Sequence, residues 1–120
     1  SKNIVGDLGE SFVISFYKNS QVLPTLEPCA KNNPNFDAIS KEDGKKYSIK
    51  TTSTKTTGVF RGLGKGKDGR PQISNFDYVV VCKFNDNYEV ECLWEIDWNT
   101  FRKISTWNSR VKAWSISITK

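Results

Sequence analysis

The sequence feature that most constrains the fold is a nine-residue segment, 76–84, that is largely apolar on both of its alternating faces. It reads FDYVVVCKF, so that apolar residues stand at even and at odd positions alike. A strand with two apolar faces needs cover on both sides, which predicts a central, buried strand of a sheet. The following Asn85, Asp86 and Asn87 predict a hairpin turn. Residues 88–96 then alternate, which predicts a second strand with Tyr88 and Ile96 among its inward positions.

Apolar residues at helical spacing predict an amphipathic helix over residues 5–19. They are Val5, Leu8, Phe12, Val13 and Phe16. Near the other end of the chain, Asp97 is a candidate N-cap for a short helix over 98–104, and a last strand is expected over 113–118.

Three further strands are predicted between the first helix and the central strand. Segment 21–27 contains Pro24, which indicates an edge strand. Segments 35–40 and 45–53 flank the turn 41–44, where Gly44 supplies a positive φ. The expected fold is α/β (α+β), with one mixed β-sheet flanked by helices in a single domain spanning residues 1–120.

The composition excludes several kinds of site. The chain has no histidine, so a Ser/His/Asp triad, a Cys/His dyad and a His-ligated zinc site are impossible. Its three cysteines form no C-x-x-C pair, which favours reduced core residues over a disulfide framework or a zinc knuckle. Hydrolytic chemistry would therefore need carboxylates, lysine and a cation that prefers oxygen ligands, namely Mg²⁺ or Mn²⁺.

Positive charge is concentrated in two parts of the chain. Residues 41–70 contain nine Lys/Arg against three Asp/Glu, and residues 101–120 contain five Lys/Arg and no acid. Segment 54–75 is rich in glycine, which predicts a long, mobile, basic loop. Such clusters suit a polyanionic partner, although an ordinary solvated surface is the alternative. The residues expected to contact phosphates are Lys55, Arg61, Lys65, Lys67 and Arg70.

A candidate catalytic group lies on the predicted hairpin. Asp37 is on its first arm, while Ser48 and Lys50 are two residues apart on the second arm and so share a strand face. A carboxylate can hold Mg²⁺ against a phosphodiester, and a neighbouring lysine can stabilise the developing charge. A carboxylate at position 48 would be expected to face the same pocket as Asp37.

These residues give the sequence a resemblance to the PD-(D/E)xK nuclease superfamily. That family has a helix-first core, an Asp on one strand and (D/E/Q)-x-K on the adjoining strand. Asp37 and Lys50 match the acid and the lysine, Glu10 after Gly9 matches a helix-borne glutamate, and segment 76–81 resembles a later core strand. The resemblance implies a restriction-endonuclease-like core, with Asp37 and Glu10 as metal ligands and Lys50 as a catalytic residue.

Ser48 departs from the family pattern, because Asp, Glu or Gln is usual at that position. Either Glu10 supplies the second carboxylate of an active site, or the site is degenerate and the domain only binds nucleic acid. Taken singly, Asp37 could be a turn residue, Lys50 an edge-strand gatekeeper and Glu10 a helix-dipole acid.

The expected function is a metal-dependent DNA endonuclease with a restriction or other defence role. The alternatives are a toxin-like ribonuclease of the same fold and a non-catalytic nucleic-acid-binding module. DNA is favoured over RNA as the partner, a homodimer is possible, and Trp107 is the tryptophan whose polar context suits base stacking. Without a long apolar segment or a visible signal peptide, no membrane partner and a cytoplasmic location are expected.

Overall fold

The computed structural model describes residues 4–30, 33 and 35–118. Helices and strands follow one another in the order α1 (Ile4–Lys18), β1 (Leu26–Pro28), β2 (Ala38–Ser40), β3 (Lys46–Thr52), β4 (Tyr78–Phe84), β5 (Val90–Asp97), α2 (Trp98–Ile104), β6 (Thr106–Asn108) and β7 (Ala113–Ser115). No helix in this part of the chain is long and apolar enough to cross a membrane.

Five strands form one sheet in the order β1-β2-β3-β4-β5. Neighbouring strands are antiparallel except β3 and β4, which are parallel, so the sheet is mixed, as the sequence predicted. Because parallel neighbours need a crossover connection, the segment between β3 and β4 passes over one face of the sheet. Strands β6 and β7 form a separate two-stranded hairpin. Strand β7 lies within the last strand predicted over 113–118, whereas β6 and its pairing with β7 were not predicted.

Strand β4 lies between β3 and β5 and has a core on each face, which confirms the prediction from its doubly apolar pattern. Val80 and Cys82 pack towards α1, whereas Val79 and Val81 pack towards the opposite core. All four side chains are fully buried. This strand therefore fixes β3, which carries Lys50, between itself and the β1–β2 pair.

Helix α1 has nearly the predicted bounds, and Val5 and Val13 of the predicted face do pack against the core. The packed face is nevertheless rotated away from Leu8, Phe12 and Phe16. Its buried residues are Gly9, Val13 and Tyr17, whereas Leu8 and Phe16 are 51% and 49% exposed. The physical reason is the close approach of the helix to β3. A Cβ on Gly9 would lie 2.0 Å from Thr51 Oγ1, so the helix rotates its smallest residue towards the strand.

The first two strands are shorter than predicted. Ser20 Oγ accepts hydrogen bonds from the amides of Val22 and Leu23, which makes a turn where a strand was expected and leaves Val22 90% exposed. Asn33 Oδ1 similarly accepts hydrogen bonds from the amides of residues 35 and 36. These local side-chain acceptors thus compete with strand pairing, and the two predicted strands are reduced to the short β1 and β2.

The hairpin turns and the cap of α2 agree with the sequence analysis, apart from one side chain. Gly44 has φ 72°, and Asp97 accepts a hydrogen bond from Thr100 N at 2.7 Å. Tyr88 was predicted to point inwards but is 68% exposed. It belongs to the turn before β5, with a positive φ of 61°, so the strand alternation does not extend to it.

The basic segment 54–75 contains no helix or strand, but it is packed rather than free. Phe60 and Leu63 are buried in the core beneath it, and Phe60 pairs with Trp114 of β7 through an isolated bridge. Its apolar residues anchor the segment against the sheet. The expectation of a mobile loop is therefore wrong for these anchored parts.

Candidate active site

Asp37 directly precedes β2 and turns its carboxylate onto β3. Its amide donates to Tyr47 O at 2.8 Å, while its Oδ2 accepts a hydrogen bond from Ile49 N at 2.7 Å. The side chain thus takes the place that a backbone carbonyl would have in a continued ladder. It is held beside the strand that carries Lys50.

Lys50 is partly buried in the middle of β3. Its Nζ donates a hydrogen bond to Val59 O at 3.0 Å and lies 4.7 Å from the centre of the Phe60 ring. Both partners belong to the segment that crosses over from β3 to β4. The ammonium group is therefore held in place by the packed end of the basic segment.

Helix α1 brings two acids to the same place. Glu10 and Asp7 line a polar cavity of about 320 Å³ together with Asp37 and Lys50. The two helical acids are three residues apart, so they lie on one helix face. Because Gly9 allows α1 to contact Thr51, the residue beside Glu10 sits directly against β3.

The pKa values of Asp37 and Lys50 are shifted in opposite directions. Burial raises the pKa of Asp37, partly offset by the Ile49 amide and by the charge of Lys50. Burial lowers the pKa of Lys50, with Asp37 opposing this effect and Arg61 adding to it. Each charge is thus partly desolvated and interacts electrostatically with the other, a pattern that is enriched at functional sites.

A smaller cavity of about 140 Å³ continues from the first, and Cys29 lines it with Asp7, Glu10 and Asp37. Burial raises the pKa of the Cys29 thiol, and the charges of Asp37 and Glu10 raise it further. The thiol therefore stays protonated at neutral pH and is a poor nucleophile. Cys82 is buried, whereas Cys29 and Cys92 are partly exposed, and all three are unpaired cysteines.

Ser48 lines a different cavity from the one lined by Asp37 and Glu10. It shares its strand face with Lys50, as predicted, but it lines a separate polar cavity of about 50 Å³ with Asn35, Arg61 and Asn75. On β3 the cavity of Asp37 is lined by Ile49, Lys50 and Thr51, and the expectation that a carboxylate at position 48 would face this pocket stays a prediction. Lys50 borders both cavities.

The carboxylates suit a hard cation. Mg²⁺ usually takes one or two protein carboxylates and keeps several of its waters, and Asp37 with Glu10 supplies that number. Among the described residues, no three Asp, Glu or Cys side chains are assembled as a ready-made metal site. A cation would therefore be held by few protein ligands and mostly by water.

Three of the predicted phosphate-binding residues are exposed on the crossover segment. Lys55, Lys65 and Lys67 are exposed, and Lys65 Nζ lies 5.2 Å from the centre of the Trp107 ring. Trp107 also packs against Trp114, with ring centres 5.0 Å apart. Part of the surface of this predicted stacking residue is therefore already in contact with the protein.

Arg61 and Arg70, the remaining two, differ in what their guanidinium groups contact. Arg61 is exposed and borders the Ser48 cavity next to Lys50. Arg70 donates to Arg102 O at 2.5 Å and to Ser105 O at 2.6 Å. Its guanidinium also lies over the Trp114 ring. Arg70 joins the crossover segment to α2 through these contacts, so its guanidinium group is engaged within the protein instead of being free to contact a phosphate.

Sequence reasoning missed three residues that border the site. Asp7 was assigned no role in the site, although its spacing of three from Glu10 indicated a shared helix face. Asn35 and Asn75 were assigned no role, and both line the cavity of Ser48 and Arg61. No sequence pattern links them, because they come from separate loops.

The sequence matches no model of a known protein family, and no curated protein matches it. Its function has to be inferred from the residues of the site.

Proposed function

We propose that this chain is a Mg²⁺- or Mn²⁺-dependent endonuclease of the PD-(D/E)xK type that hydrolyses phosphodiester bonds in DNA, with a role in restriction or another form of defence. The observation that carries the proposal is the polar cavity lined jointly by Asp37, Glu10 and Lys50. The helix-first order, with an acid before one strand and a lysine on the next, supports the same family.

Asp37 and Glu10 would hold the cation, which would neutralise phosphate oxygens and lower the pKa of a bound water. Lys50 lines the same cavity as this pair and would stabilise the charge that develops on the phosphate. Because burial lowers the pKa of Lys50, the lysine also releases a proton more readily than a solvated one and can assist the attacking water.

The partly desolvated Asp37 favours cation binding. A buried carboxylate is less stable in its charged form, and a divalent cation compensates for the lost hydration. The Ile49 amide fixes one carboxylate oxygen at 2.7 Å, which leaves the other to face a ligand. Asp7, on the same helix face as Glu10, is a further acid within the cavity.

The substrate and assembly follow from charge and stoichiometry. Arg61 and the exposed lysines of the crossover segment supply the positive surface that a nucleic-acid backbone requires. One site of this kind cuts one strand, so cleavage of both strands of a duplex would call for a homodimer. A toxin-like ribonuclease would use the same residues on RNA.

A second candidate is a nucleic-acid-binding module without catalysis. Two observations favour it: Ser48 replaces an acid, and Lys50 Nζ donates to Val59 O at 3.0 Å. A lysine held by a carbonyl is less free to act on a phosphate. In this case the basic surface would bind the polyanion and the carboxylates would stabilise the local structure.

A cleavage assay separates these functions. Native protein is incubated with plasmid DNA and with single-stranded RNA in Mg²⁺, in Mn²⁺ and in EDTA. The proposal expects DNA to be nicked or linearised with either metal and left intact in EDTA. Cleavage of RNA alone supports the ribonuclease, and salt-sensitive binding without cleavage supports the binding module.

A further inference from the structure

The turn between β6 and β7, residues 109–112, lies next to the end of the crossover segment that borders the candidate active site. Arg61 Nη1 donates a hydrogen bond to Val111 O at 3.3 Å. Arg61 also lines the cavity that Lys50 borders. A continuous surface therefore runs from Lys50 through Arg61 to this turn.

The turn carries two exposed cations, and neither forms an ion pair with another residue that the structure describes. Arg110 and Lys112 flank Val111 and are both exposed, and residues 101–118 contain no acid. On the adjoining segment, the carboxylate of Asp68 forms an ion pair with Arg102. That acid is thus already paired, and the two cations of the turn present their charge to solvent.

The backbone of the turn is ordered, and it is strained at one lysine. Asn108 Oδ1 accepts a hydrogen bond from Arg110 N at 3.0 Å, which organises the start of the turn. Lys112 has φ 53°, and Tyr88 is the only other non-glycine residue with positive φ in the described part of the chain. Glycine would adopt this conformation without strain. Lys112 thus presents its cation from a backbone position where glycine would be favoured.

We propose that Arg110 and Lys112 form a second phosphate-binding element, which holds the backbone of a DNA duplex at a distance from the cleaved bond. This inference rests on the proposed function, since its ligand is the substrate of the same site. Arg61 links the two contacts, because its guanidinium touches the turn while its side chain borders the cavity beside Lys50. The turn extends the bound length of the duplex and contacts phosphates without reading bases.

The test is equilibrium binding of a fluorescein-labelled DNA duplex in EDTA, where no metal-dependent cleavage occurs, over a series of salt concentrations. The variants are Lys112→Gly, Arg110→Gln and the double variant. The slope of log affinity against log salt should fall by about 0.9 for each phosphate that the variant no longer neutralises. Lys112→Gly should also keep or raise the melting temperature, because it relieves the positive-φ strain.

The control is Tyr88→Gly, which relieves the same kind of strain in the acidic turn before β5. It should keep or raise the melting temperature and leave the salt slope unchanged. An unchanged slope in the Arg110→Gln, Lys112→Gly double variant would overturn the inference, as would absence of duplex binding by the native protein. Native protein that binds with the expected slope but cleaves nothing would refute the nuclease and still support this surface.

Discussion

Replacement of Gly9 by alanine tests how the helix brings Glu10 to the site. In an unhindered helix this change is stabilising by about 0.5–1 kcal/mol, since alanine loses less backbone entropy. Here the new Cβ would lie 2.0 Å from Thr51 Oγ1 and 2.9 Å from Thr51 Cγ2. Such overlap forces α1 away from β3, and overpacking of this kind costs about 1–3 kcal/mol.

The overpacking cost exceeds the propensity gain, so Gly9→Ala should lower the free energy of unfolding. Because Glu10 is the next residue, the shift should also weaken Mg²⁺ binding and cleavage. Urea denaturation measures the first effect, and calorimetric titration with Mg²⁺ measures the second. Ser11→Ala is a matched control, because Ser11 is exposed on the same helix and its replacement should be neutral or stabilising.

A second change identifies the cause. Thr51→Ala removes the two atoms that a Cβ on Gly9 would meet first. The Gly9→Ala, Thr51→Ala double variant should therefore regain part of the stability and part of the Mg²⁺ affinity. A Gly9→Ala protein that is more stable than native, or a double variant with no recovery, would refute the close contact between α1 and β3.

Three further predictions follow from the site. Because burial raises the pKa of Asp37, its charged form destabilises the fold at neutral pH, and stability is regained as the pH falls through that raised pKa. In metal-free buffer Asp37→Asn should thus have a higher melting temperature than native protein at pH 7, and this difference should shrink at acid pH. A difference in melting temperature that does not depend on pH would contradict this. Glu10→Gln should reduce cleavage nearly as much as Asp37→Asn, whereas Ser48→Ala should change it only a few-fold; full activity in Glu10→Gln would make Asp7 the next candidate ligand. Arg70→Ala should lower the melting temperature and leave the salt slope of binding unchanged. Lys67→Ala should leave the melting temperature unchanged and reduce the salt slope.

Most of the sheet could be predicted because its signal is local. Segment 76–84 is apolar on both faces, and the turns at Gly44 and at 85–87 use residue types that favour such turns. Alternation was less informative at the ends of strands, where Tyr88 continues the pattern but belongs to a turn. The ends of β1 and β2 depend on side-chain acceptors, Ser20 and Asn33, whose hydrogen bonds a hydropathy pattern does not show.

The orientation of α1 could not be predicted from hydrophobicity. Leu8, Phe12 and Phe16 form the more apolar stripe, yet Gly9 faces the sheet because it allows the closest approach to Thr51. The same limit applies to charge. Arg70 is as basic as Lys67, but its donors are used by backbone carbonyls of α2 and the residue after it.

The candidate site was predicted in its centre and not at its edges. The spacing of strand residues placed Asp37 next to the strand of Lys50, and the helix-borne Glu10 lines the same cavity. Ser48 borders an adjoining cavity instead, and the role expected for a carboxylate at position 48 stays a prediction. The roles of these residues in catalysis stay predictions until cleavage is measured.

The most direct test of the central claim is single-turnover cleavage of a labelled DNA duplex in Mg²⁺ by native protein and by Lys50→Ala, purified in parallel. Lys45→Ala, an exposed lysine just before the same strand, is the matched control. The nuclease proposal predicts that Lys50→Ala slows cleavage by about 10²-fold or more, the scale of removing one transition-state donor, while Lys45→Ala cleaves at the native rate. Equal cleavage by native protein and Lys50→Ala would contradict a catalytic centre built around Asp37 and Lys50.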